Sequence, residues 1–149
     1  MHKKWLFHQE QPFFCLEAKA DLRQNFYLYE LKKIDMDIES FREWCLTFPG
    51  TTEGIKWEDH LCFMVAEKIF VLMDIQAPHS FALKVDPNDF DQLVSRDGIK
   101  QAYHMARGQW VGIDSLQVLD RDELQKMVGQ SRSLVLSKLP KKIQAKYQL

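Results

Sequence analysis

Apolar side chains first recur at a helical period: Ile38, Phe41, Cys45 and Phe48. That spacing marks one face of an α-helix. Asp37 stands before it as an N-cap, Glu39 lies in the first turn where its charge favours the helix dipole, and Pro49-Gly50 stops it. The pattern then shortens to four apolar stretches of strand length, Gly54–Trp57, Leu61–Ala66, Ile69–Asp74 and Ser80–Val85. Ala66-Glu67-Lys68 is a short polar link fit for a hairpin tip, and Gln76-Ala77-Pro78-His79 suits a looser turn. Links this short predict antiparallel neighbours, because a parallel crossover needs a dozen residues or more.

Asp86-Pro87 predicts a second helix start, with Asp86 as N-cap and Pro87 at the first helical position. Its inner stripe is Phe90, Leu93 and Val94, and Gly98 fits its end. Ile99 to Ala106 reads as a connector, followed by a strand at Gln109–Ile113. In that strand Val111 and Ile113 alternate to the side of Gln109, so Trp110 and Gly112 share the other side, where Trp110 is expected to pack on a helix. Asp120 and Glu123 resemble a capping box before a long helix with the stripe Leu124, Met127, Val128, Ser131, Leu134 and Val135, ending near Leu139-Pro140. Lys141 to Leu149 has room for a further short helix. Helix, strand meander, helix, strand, helix is an α+β order: an antiparallel sheet packed with helices.

Residues 1–34 break this regularity. Phe13, Phe14 and Leu16 suit a short strand or a hydrophobic arm, while Phe26, Leu28 and Leu31 fit helical or alternating spacing. The apolar run Trp5-Leu6-Phe7 is too short for a signal peptide and is cut by His8-Gln9-Glu10-Gln11. The segment is taken as an N-terminal extension of uncertain order, and residues 35–149 as a single domain.

Composition adds exclusions. With 149 residues, 46% hydrophobic and 28% charged, the chain can bury a core without help from a disulfide or metal. No apolar run reaches the ~18 residues that span a bilayer, so no membrane role is expected. A formal net charge of −1 disfavours a basic coat over the whole surface and leaves room for a local basic patch. Cys15, Cys45 and Cys62 are an odd set without C-x-x-C spacing, read as free thiols in a reducing cytoplasm, with Cys45 and Cys62 in the core.

The standard constellations are missing: no G-x-x-x-x-G-K, G-x-G-x-x-G, G-x-S-x-G or H-E-x-x-H occurs. No cofactor or catalytic residue is implied. Glu58-Asp59-His60 offers two carboxylates and an imidazole, yet neighbours in an extended chain point to opposite faces, so it reads as a solvated turn and not a metal site. Tyr103, His104 and Trp110 lie close in sequence and suit either a pocket for a planar ligand or ordinary aromatic packing. From residue 132 onward the chain carries Arg132, Lys138, Lys141, Lys142 and Lys146 with no side-chain acid. Such a tract either holds phosphate or complements the negative end of a helix dipole.

Phe48-Pro49-Gly50-Thr51-Thr52-Glu53, Glu67-Lys68-Ile69-Phe70, Leu83-Lys84-Val85-Asp86-Pro87, Tyr103-His104-Met105 with Trp110-Val111, and Ser131 to Lys142 with Leu139-Pro140 follow one another in an order that resembles the MmcQ/YjbR family. The likeness covers residues 37–142. It implies a frataxin-like (CyaY-like) topology and DNA binding through a double-wing arrangement of hairpins, with no catalytic activity to carry over. Where the family usually has a small residue before the lysine of the second hairpin, this chain has Glu67, whose carboxylate repels phosphate.

The expectation is a non-catalytic DNA-binding protein, with Lys68, Lys84, Arg107, Lys138, Lys141 and Lys142 on phosphates and Trp110 and His104 stacking or orienting. Its rivals are a protein-interaction or regulatory module without nucleic-acid affinity and, by fold analogy alone, frataxin-like metal binding. One positive face spanning a hairpin and the C-terminal helix would favour the first.

Overall fold

The computed structural model describes residues 23–25 and 36–147. The chain divides into two units, Met1–Asp35 and Met36–Leu149. In the first, residues 23–25 are helical; the strand, arm and spacing expected elsewhere in residues 1–34, and Cys15, lie outside the described residues. The second unit carries everything below.

Its elements are α1 (Ile38–Leu46), β1 (Thr51–Lys56), β2 (His60–Val65), β3 (Lys68–Asp74), β4 (Phe81–Lys84), α2 (Pro87–Val94), β5 (Ile99–Gln101), β6 (Trp110–Ile113), a 3₁₀ turn (Leu116–Val118), α3 (Arg121–Ser137) and α4 (Lys141–Tyr147). The N-caps act as expected. Asp37, Asp86 and Asp120 accept from the backbone N–H groups of Ser40, Asn88 and Glu123 at 2.7, 2.9 and 2.7 Å, satisfying donors that the first turn leaves unpaired.

The strands form one antiparallel sheet in the order β1-β2-β3-β4-β6-β5. Register lines up apolar rows. Phe63, Val71, Leu83 and Val111 form one, and Leu61, Met73, Phe81 and Ile113 the next. The helices cover this face. Phe41 of α1 meets Phe63 edge-on, with ring centres 5.9 Å apart, and α3 adds Leu124, Met127, Val128, Val135 and Leu136 to the same cluster. The α+β class with an antiparallel sheet and packed helices is thus as the sequence predicts. Ser131 of α3 is fully buried where the β3–β4 pairing stops after Val71–Leu83. Its hydroxyl donates to the Phe70 carbonyl at 2.6 Å and accepts from the Lys84 N–H at 2.8 Å, extending the ladder by proxy.

Four details differ from the sequence reading. β1 opens at Thr51 and not at Gly54, because β2 pairs it back to Val65. Trp57 leaves the strand for the turn, with φ 51°. Ile99–Gln101, read as connector, is an edge strand paired to β6. Among the described residues Trp110 lies off the helix-packed cluster: the helices lie on the Val111 and Ile113 side, and Trp110 is buried across from Lys84.

Candidate nucleic-acid interface

The register sorts the charged residues by end of the sheet. Thr51 pairs with Val65, Val65 with Lys68, and Lys84 with Trp110. These residues, the Ala66-Glu67 hairpin tip and the turn carrying Arg107 share one end. Lys56, His60, Asp74 and Ile113 share the other.

α4 belongs to the first end. It follows the C-terminus of α3 and is fastened to the turn that leads into β1. At Gly50, with φ +69°, an added Cβ would stand 2.1 Å from Cδ1 of Tyr147, so the glycine makes room for the ring. Arg132 completes the fastening by donating to the carbonyls of Pro49 at 2.5 Å and Tyr147 at 3.0 Å, its guanidinium 5.6 Å from the Phe48 ring centre. Burial pulls the Arg132 pKa down from its ordinary value, but a guanidinium stays charged. Arg132 is therefore a clamp and not one of the surface bases its sequence neighbourhood suggests. Its place four residues after Val128 and four before Leu136, both buried, was the available signal.

All six expected phosphate contacts gather at this end. Lys68 opens β3 beside the hairpin tip, Lys84 closes β4, and exposed Arg107 precedes β6. Lys138 caps α3, and Lys141 and Lys142 open α4, all three exposed. Lys146 joins them over the Tyr147 ring. None of the six forms an ion pair among the described residues. The acids placed with them are Glu67, exposed at the tip with φ 65°, and Asp86 and Asp89 at the start of α2.

Of the cations away from this end, Arg96 forms a two-pronged pair with Glu123, and Lys100, across from Gly112 two residues from Trp110, meets Asp114 at 3.1 Å, while Lys56 at the far end has no ion pair among the described residues. Nearer the middle, Arg42 grips Glu53 at 2.6 and 2.5 Å and holds its carboxyl below the usual range.

The aromatic trio is not brought together. Tyr103 and His104 are exposed with ring centres 3.9 Å apart, His104 at φ 59°. Trp110 is buried in β6. A shallow cavity of about 160 Å³ on the face turned away from α1 and α3 is lined by Tyr103 with Leu72, Ala82, Lys100, Gly112 and others, and includes neither His104 nor Trp110. At Glu58-Asp59-His60, the turn ends at Asp59, His60 opens β2, and the His60 ring sits 3.1 Å from the Asp59 carboxylate. Among the described residues no group of three or more His, Cys, Asp or Glu side chains converges as a metal ion needs. Cys45 and Cys62 are free and buried, and burial pushes both thiols up, away from reactivity. No helix among the described residues is long and apolar enough to cross a membrane.

Comparison with known proteins adds relatives. A Deinococcus radiodurans protein of the DUF419 family, solved by crystallography, is 26% identical, with a TM-score of 0.68 over 74% of this chain and 86% of its own. A Pseudomonas syringae protein matches in its crystal structure at 23% identity and a TM-score of 0.58, over 66% of this chain and 98% of its own. Its solution structure matches at 24% identity and a TM-score of 0.55, over 66% and 92%. No match was found among curated proteins. The YjbR family model matches residues 46–134, well over half of the sequence, and the chain belongs to that family.

Proposed function

We propose that this domain is a non-catalytic, DNA-contacting protein of the cytoplasm that holds phosphate at the basic end of its sheet. The observation that carries the reading is the gathering of Lys68, Lys84, Arg107, Lys138, Lys141 and Lys142 at one end, without ion-pair partners among the described residues. A cation already paired releases little on meeting phosphate; an unpaired one displaces the counterions of the nucleic acid. Net charge does not oppose this. β2 alone has six residues, roughly 20 Å of strand, and ionic screening acts over about 8 Å at physiological salt. The carboxylates of Glu58, Asp59 and Asp74 at the far end are thus screened from a polyanion at the basic one. Tyr103 and His104, exposed near Arg107 in sequence, supply stacking surface, and Glu67 subtracts from the hairpin's contribution.

The test is a fluorescence-anisotropy titration of labelled duplex and single-stranded DNA at low salt, repeated as salt is raised. Four phosphate contacts give a log–log slope of roughly −3.6. Folded protein that binds neither probe at low salt sinks the reading.

A further inference from the structure

Five large apolar side chains are exposed among the described residues, and three of them, Ile55 (64%), Trp57 (67%) and Ile75 (39%), lie at the end opposite the basic one. They are neighbours in the fold. Ile55 is two residues before Trp57 on β1, and the Ile75 N–H donates to the carbonyl of Asp59, in the same turn as Trp57, at 3.0 Å. Trp57 and Glu58 hold φ values of 51° and 68°, a left-handed conformation that a bulky side chain rarely takes. A glycine would suit the turn better, and the core does not use the indole. A protruding tryptophan is the side-chain type that most often anchors an interface. Glu58, Asp59 and Asp74 surround the patch, with Lys56 the cation among them.

A complement to this patch exists on the same molecule. The basic end presents Lys68, Lys138, Lys141 and Lys142, with Leu46 exposed (39%) at the end of α1. We infer that the Trp57 end of one copy docks on the basic end of a second copy, head to tail. The contact joins two different patches, so it propagates into short open chains unless a rotation closes them into a ring. Its area is small, which makes it weak and concentration-dependent, and its charges make it salt-sensitive. The inference stands without the phosphate reading, because its test contains protein alone.

The experiment is sedimentation velocity on the full chain across a wide concentration range, at low and high salt. At low salt the weight-average sedimentation coefficient rises with concentration, and high salt weakens association by about tenfold or more. Trp57→Gly, which relaxes the turn and so keeps the fold, weakens it by a similar factor. The pair Glu58→Lys with Asp59→Lys, and the pair Lys141→Glu with Lys142→Glu, each abolish self-association. Mixing the two variants restores it, since each reversed end then meets an opposite charge. A wild-type chain that stays monomeric at low salt overturns the inference. So does association that survives Trp57→Gly and both charge reversals, or a mixture that stays monomeric.

Discussion

The basic end of the sheet and the region away from it hold cations in different states. Away from it Arg96 and Lys100 are paired with Glu123 and Asp114, with Lys56 the exception that has no ion pair among the described residues. At the basic end, Lys68, Lys84, Arg107, Lys138, Lys141 and Lys142 have no ion-pair partner among the described residues, while Arg132 is turned inward to two carbonyls. A formal net charge of −1 averages these states and describes neither. What a charged partner meets is the local, uncommitted charge within a screening length.

The sharpest way to break this contrast is at Trp110, which faces Lys84 across the β4–β6 pair at the basic end. Its burial makes it structural. Trp110→Ala is expected to cost ~3–5 kcal/mol in chemical denaturation. A variant of unchanged stability that loses DNA binding would place Trp110 in the interface instead.

Next in size is the clamp. Arg132→Met removes the donor to the Pro49 and Tyr147 carbonyls, and a loss of about 2–3 kcal/mol is expected from unpairing two half-buried acceptors. Lys142→Met, on the exposed helix the clamp holds, should stay within ~0.5 kcal/mol of wild type. Equal effects would mean that the buried and exposed bases of the C-terminal tract are not different in kind.

Smaller in energy but closer to function is Lys141→Glu with Lys142→Glu. The double variant should melt as wild type does and bind duplex DNA about 10–100-fold more weakly at low salt, with the salt slope shallower by about 1.8. The loss should be the same for unrelated sequences, because phosphate contacts position without specifying. A loss confined to one sequence would instead make these lysines base readers.

How much of this was legible follows from the range of the interactions. Asp37, Asp86 and Asp120 were readable as caps because each bonds a backbone N–H two or three residues on. The Ala66-Glu67 tip is readable because a short polar link separates two apolar runs of strand length, which pair antiparallel. β5 was not: three residues carry too little period, and its pairing with β6 makes it a strand. Trp57 ends an apolar stretch of strand length and so reads as strand, yet the β1–β2 register ends at Lys56 and His60 and leaves it in the turn. The sequence displays the bases one by one, but their meeting at one end is invisible in it. It depends on Thr51 pairing with Val65 and on the Tyr147 ring lying over Gly50, contacts between segments far apart in the chain.

The smallest expected effect separates local from net charge most directly. Glu123→Gln with Asp114→Asn releases Arg96 and Lys100 from their partners and makes the chain more positive by two charges. Both pairs are partly exposed, Arg96 and Glu123 at 41% and 30%, Lys100 and Asp114 at 73% and 52%, so each is worth about 1 kcal/mol or less and the fold should persist. The freed cations lie at the far edge of the sheet: β5 is five strand spacings, roughly 24 Å, from β1, whose leading turn holds α4, beyond the screening length. DNA affinity should therefore change by less than about twofold, with the salt slope unaltered. A gain comparable in size to the loss from Lys141→Glu with Lys142→Glu would show that total charge governs binding, and the distinction between the two ends would carry no functional meaning.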